Sequence, residues 1–162
     1  MEKIQNSIKT IIEECKIKHE NIDEVAKKAS EKMIQNFSGY GVDVAGLFSN
    51  KIKNEKNYNS AIEFLEIPFI SYCYHHMSPI IGHVNVKYTP NQWLIGLSKI
   101  TECVYAFANR LQIQENMTVE IGNTIMEHLQ AQNVTVEIVA KHYCMQKIQG
   151  QHLPAIKTSF SK

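Results

Sequence analysis

The chain has 162 residues, 44% apolar and 20% charged, an ordinary globular composition long enough to bury a sizeable core. A formal net charge of +1 argues against a nucleic-acid or membrane-surface partner, and no apolar run approaches the roughly 20 residues of a bilayer span. Four unevenly spaced cysteines, behind an opening Met1-Glu2-Lys3-Ile4-Gln5 that does not read as a signal peptide, suggest a reducing cytoplasm.

Ile4, Ile8, Ile11, Ile12 and Cys15 recur at helical spacing and predict an amphipathic helix within residues 1–20. Asn21 then offers an N-cap ahead of the acidic turn Asp23-Glu24. A second helix follows, with Val25, Ala29, Met33 and Phe37 on one face. Ser38-Gly39-Tyr40-Gly41 stops it, on the expectation that glycine supplies a left-handed cap. Residues 42–48 suit a short helix. The Lys- and Asn-rich stretch 51–60 has no period and reads as an exposed connection. Cys15 and Cys103 fall in helical patterns and are expected to pack inward.

Residues 61–73 are strand-like, with Pro68 demanding an edge or a bulge because it lacks an N–H. Val84, Val86 and Tyr88 alternate with Asn85 and Lys87 in a second strand over 80–88, closed by the turn Thr89-Pro90-Asn91-Gln92. Helices are predicted over 98–111 and 116–130, joined by residues 112–115. Strands follow over 134–143 and 154–160. The order strand, strand, helix, helix, strand, strand is an α+β pattern, an antiparallel sheet with helices on one face. The expected division is an N-terminal helical region, 1–60, and a single domain, 61–162.

The chemistry concentrates in Ser71-Tyr72-Cys73-Tyr74-His75-His76-Met77-Ser78-Pro79. Cys73 and His76 have the Cys-x-x-His spacing with which one tight turn can present two ligands to a zinc ion, and His142-Tyr143-Cys144 ends a later β-like run. Three protein ligands would leave the fourth position open, as a catalytic site requires. Taken alone, a Cys-x-x-His pair is equally compatible with a buried thiol and imidazole that hold no metal.

Four separated blocks resemble the signature blocks of the GTP cyclohydrolase I family. They are Cys73-Tyr74-His75-His76, Ile95-Gly96-Leu97-Ser98-Lys99, Arg110-Leu111-Gln112-Ile113-Gln114-Glu115 and His142-Tyr143-Cys144-Met145. The resemblance covers about the last hundred residues. It implies a tunnelling fold, in which ββααββ units assemble into homo-oligomeric rings (pentamers, stacked into decamers) with active sites between subunits.

Residue by residue, the resemblance implies Cys73, His76 and Cys144 as Zn2+ ligands. It implies His142 as the acid that protonates the imidazole ring of a purine-type substrate and His75 as a second catalytic histidine. Ser98 would assist at the ribose, Lys99 would bind phosphate, and Gln114 and Glu115 would recognise guanine. A carboxylate can accept parallel hydrogen bonds from guanine N1–H and the 2-amino group, so Glu115 would select guanine over adenine. Each residue also has a plainer structural reading: His75 orienting a ligand, Ser98 capping a helix, Glu115 facing a helix dipole.

The departures lie in the phosphate set. Where the family places an arginine three residues after Lys99, this chain has Glu102. The stretch Met145-Gln146-Lys147-Ile148-Gln149-Gly150 lacks the family's arginine, its N-terminal Pro-x-Arg motif is missing, and Tyr74 stands where a glutamate is usual. The expectation is therefore a zinc-dependent cyclohydrolase acting at guanine C8 on a substrate with reduced phosphate, or none. The alternatives are a true GTP cyclohydrolase I making 7,8-dihydroneopterin triphosphate, an enzyme acting on another heterocycle, and a non-catalytic pterin- or guanine-binding ring protein.

Overall fold

The computed structural model describes residues 1–18, 20–148, 150 and 152–162. The chain forms two compact units, Met1–Ser38 and Gly39–Lys162.

In the first unit α1 (Glu2–Glu14) packs against α2 (Ile22–Asn36). Asn21 caps α2 as expected: its side-chain oxygen accepts from Glu24 N at 3.2 Å, and its amide donates back to Glu24 Oε2 at 3.1 Å. Lys9 pairs with Asp23 across the two helices. Two expectations are corrected. Helix α1 ends at Glu14, so Cys15 is a solvent-exposed cap residue rather than a packing one. In α2 the fully buried positions are Ala26 and Ser30, with Val25, Ala29 and Met33, and Phe37 at the C-cap, only half-buried.

The second unit carries α3 (Val44–Leu47), β1 (Ile52–Lys53), β2 (Ile62–Cys73), β3 (Pro79–Thr89), β4 (Trp93–Leu94) and α4 (Leu97–Ala108). It continues with β5 (Leu111–Gln112), α5 (Gln114–Leu129), β6 (Asn133–His142) and β7 (Ile156–Ser161). The main sheet has the order β5-β2-β3-β6-β7, antiparallel except for the β5–β2 pair. This is the ββααββ plan expected of a tunnelling fold, with short extra strands. β1 and β4 make a separate two-stranded ladder within what reads as plain loop sequence.

Helices α4 and α5 lie on one face of the sheet. Ile67, Val84, Val136 and Ile138 point toward Ile100, Val104, Ile121 and Ile125 in one continuous core. Burial of each such side chain contributes about 1.5–3 kcal/mol. On the other face Leu65, Ile70 and Ile81 are exposed.

Pro68 lies on an open stretch of strand edge, just past a bulge. The β2–β3 register slips between Phe64 and Ile67, and β5 covers the far edge of β2 only at Tyr72 and Cys73. In the bulge Glu66 takes φ 56°, and its N–H donates to Asn85 Oδ1 at 2.8 Å.

Gly39 is not the left-handed cap its sequence context suggests. Among the described residues the one glycine with positive φ is Gly150. Gly39 is small because α4 runs against it: a Cβ there would lie 2.2 Å from the Ala106 carbonyl oxygen and 2.7 Å from that of Asn109. Among the described residues no helix is long and apolar enough to cross a membrane.

Candidate active site

Strand β2 delivers Cys73 to its C-terminal end, and loop 74–78 folds straight back. Met77 N donates to Cys73 O and Cys73 N to Ser78 O, both at 2.8 Å, with Met77 at φ 52°. This tight turn sets His76 Nδ1 at 3.7 Å and His75 Nδ1 at 3.9 Å from Cys73 Sγ. The third ligand, a second thiol, comes from the far side of the β3–β6 ladder. Ile80 pairs with His142, so the end of β6 meets the β2–β3 hairpin, and a 3-10 turn over Tyr143–Met145 presents Cys144.

The ligand atoms of Cys73, His76 and Cys144 all lie within 4.8 Å of one another. Tetrahedral zinc, with bonds of about 2.3 Å to sulfur and 2.0 Å to nitrogen, needs ligand separations of about 3.5 Å. The donor set therefore fits zinc with a small contraction. Its electrostatics agree: burial, and then the facing Cys73 thiol, push the Cys144 pKa up. That burial and that neighbour oppose ionisation of the Cys144 thiol until a dication compensates the charge. Cys73 is buried, Cys144 half-buried and His76 exposed, so the cluster opens to solvent on one side.

His142, the last residue of β6, sits half-buried with Nε2 2.7 Å from Gln114 Oε1. Burial lowers its pKa, and the Glu115 carboxylate opposes that shift. The sequence pattern places Gln114 and Glu115 in a connection. They instead form the first turn of α5, which begins at Gln114. They diverge sharply. Glu115 is exposed, whereas Gln114 is 2% exposed, and its amide is fully engaged with Ile138 O, Ile156 O, Thr158 Oγ1 and His142. Thr118 and Thr158 complete this network and were not singled out by sequence. The signal was faint: Thr118 lies one helical turn after Gln114, and Thr158 is a half-buried polar residue on β7.

Ser98 and Lys99 form a separate group on the first turn of α4, whose N-cap is Gly96 rather than Ser98. Lys99 Nζ lies 2.7 Å from Glu102 Oε2. Hydrogen bonding to Lys99, reinforced by its charge and by the Ser98 hydroxyl, holds Glu102 below the usual carboxylate range. The sequence contains a single arginine, Arg110. Its Nε donates to Gly39 O at 3.1 Å, and its guanidinium lies 4.8 Å from the Phe107 ring centroid and 5.7 Å from that of Tyr40. In the stretch 145–150, Gln149 lies outside the described residues.

Residues 2–162 match the family model described as GTP cyclohydrolase I. Among curated proteins, GTP cyclohydrolase 1 of Rickettsia felis is 45% identical over 109 residues, 67% of this chain and 57% of that protein's length. GTP cyclohydrolase 1 of Allorhizobium ampelinum is 34% identical over 164 residues, covering 99% of this chain and 82% of its own. The match thus spans little more than half of the Rickettsia protein. Among solved structures, the archaeosine synthase QueF-Like in the apo form gives a TM-score of 0.47 at 11% identity, over 64% of this chain and 92% of that one. That likeness is too slight to add to the family match.

Proposed function

The chain belongs to the GTP cyclohydrolase I family, and from that premise we propose a zinc-dependent hydrolase that opens the imidazole ring of a guanine nucleotide at C8, releasing formate. The observation that carries this reading is the meeting of an open Cys73-His76-Cys144 donor set with the nearby imidazole of His142. Zinc held by those three residues would supply the Lewis acidity that makes water a nucleophile near neutral pH.

The chain's own groups do the rest. Glu115, exposed at the start of α5, accepts hydrogen bonds from guanine N1–H and the 2-amino group. His142 delivers a proton to the imidazole ring of the base, which makes C8 electrophilic. His75, beside the cluster, serves proton transfers as the ring opens. Ser98 acts at the ribose during rearrangement to a pterin-type product. Two open sheet edges, the outer edge of β7 and the part of β2 before Tyr72, favour edge-to-edge pairing of copies into a closed ring. The expected assembly is a cytoplasmic pentamer or decamer with sites between subunits.

A second reading, a substrate with reduced phosphate or none, is favoured by one specific observation. Lys99 is already paired with Glu102, and the single arginine is engaged by Gly39, Tyr40 and Phe107. These 162 residues hold no other guanidinium to grip a triphosphate bidentately.

Formate release by zinc-loaded protein from GTP, GMP and guanosine decides between the readings. Preference for GTP supports a true GTP cyclohydrolase I. Equal or better use of GMP or guanosine supports the second reading. Release from none of them, with ligand affinity that survives chelation, overturns both and leaves a binding ring protein.

A further inference from the structure

We propose that Gln114 is a positioning residue that holds His142 in the Nε2–H form, leaving Nδ1 as the one nitrogen through which His142 exchanges a proton with a ligand. The hydrogen placement does not depend on the proposed function. Its catalytic consequence rests on that reading.

Gln114, Thr118, Thr158 and His142 form one largely buried network, and the two amide hydrogens of Gln114 are shared among three acceptors. The Gln114 nitrogen lies 3.2 Å from Ile138 O, 3.1 Å from Ile156 O and 3.1 Å from Thr158 Oγ1. Two of these partners are backbone carbonyl oxygens, which cannot donate. The end of the amide that faces them must therefore be the NH2 group, since a flipped amide would press its oxygen against both carbonyls. That orientation turns Oε1 toward His142 Nε2, 2.7 Å away. An amide oxygen carries no hydrogen, so the ring nitrogen must carry one.

The hydroxyls fit the same direction. Thr118 Oγ1 donates to Gln114 O at 2.7 Å, which turns its lone pair toward Thr158 Oγ1, also 2.7 Å away. Thr158 therefore donates to Thr118 and uses its own lone pairs to accept from Gln114. No donor faces a donor and no acceptor faces an acceptor. A satisfied, largely buried network of this kind favours one arrangement, because reversing the Gln114 amide leaves its buried atoms facing like partners.

Gln114 thus joins the first turn of α5 to β6 and β7 and fixes the ring at the end of β6 in both rotation and tautomer. A carboxamide orients the imidazole without taking its proton, so the Nε2 hydrogen has nowhere to go. This assigns Gln114 a part distinct from base recognition, for which its side chain has no spare donor.

Neutron diffraction from deuterium-exchanged, zinc-loaded protein tests the placement directly. The expected result is a deuteron on His142 Nε2, with or without a second on Nδ1, and the Gln114 ND2 group turned toward Ile138 O. A deuteron on Nδ1 alone, or a flipped amide, overturns the proposal. The second test is Gln114→Met on the holoenzyme. Loss of a partner that orients a catalytic histidine should lower kcat by about 10–100-fold, with KM and zinc content near wild type. A raised KM with kcat retained would assign Gln114 to base binding and sink the idea. If that variant does not fold, the neutron map still decides. If wild-type protein releases no formate from any guanine substrate, the proposed function fails while the hydrogen placement stands or falls on the map.

Discussion

Gly122 and Phe160 form a contact whose energetics can be predicted with a sign. Gly122 lies inside α5, where alanine would be preferred by about 1 kcal/mol on conformational grounds. Phe160 on β7 blocks that gain. A Cβ on residue 122 would fall 2.1, 2.4 and 2.7 Å from Cδ1, Cε1 and Cγ of the ring, where ordinary contact begins at 3.4 Å. The ring must retreat by about 1.3 Å, and such overpacking costs about 1–3 kcal/mol. Gly122→Ala should therefore destabilise by up to about 2 kcal/mol in the native chain, yet stabilise by about 1 kcal/mol when Phe160 is already alanine. Urea unfolding of the four proteins, at one protein concentration because subunit association adds to apparent stability, measures the coupling. A Gly122→Ala effect of the same sign and size in both backgrounds would refute the packing argument.

Glu102→Gln removes the carboxylate that engages Lys99, so the ratio of kcat/KM for GTP to that for guanosine should rise. An unchanged ratio in steady-state kinetics would mean that Lys99 does not meet the phosphate tail. Thiol labelling of native protein should modify exposed Cys15 quickly and leave Cys103 untouched until unfolding, because burial pushes the Cys103 thiol up to about 12. Mass mapping of the label reads the outcome. Tyr88 Oη is buried without a hydrogen-bond partner among the described residues, and burial raises its pKa. The raised value means that the neutral phenol's contribution is intact below the ordinary pKa of 10.0 and is lost as pH climbs past it. Tyr88→Phe should match or exceed wild-type stability at neutral pH. It should also lose less stability in thermal melts above pH 10; equal alkaline losses would contradict the assignment.

The signature blocks made the family legible, and the resemblance they carry implied the set Cys73, His76 and Cys144; spacing alone joins only Cys73 to His76, and Cys144 reaches them through the β3–β6 pairing. Long amphipathic or alternating runs such as β3 and β6 were legible for the same reason: period survives over eight or more residues. Two-residue strands carry no period. Leu111 therefore read as the last helical position when it actually pairs with Tyr72, and Ile52 read as loop when it pairs with Leu94. Gly39 was misread because a close approach to Ala106 and a left-handed cap demand the same residue. The occupation of Lys99 by Glu102 sits at an (i, i+3) spacing that sequence displays, but whether the side chains turn toward each other or toward a ligand is decided by the fold. The Gln114 network was the least visible part, since it joins residues 24 to 44 positions apart through single hydrogen bonds.

The short parallel pairing of β5 with β2 has a consequence for how a bound base and a bound metal influence each other. Leu111 and Gln112 run alongside Tyr72 and Cys73, and Tyr74 N donates to Gln112 O at 3.0 Å. The segment leading into Glu115 is therefore laced to the segment bearing Cys73 and His76. A guest that stiffens one segment lowers the entropy the other must lose when its own guest arrives. Thermodynamic reciprocity then requires the help to be mutual: on the proposed function, a guanine-type ligand would tighten metal retention by the same factor by which the metal would tighten the ligand.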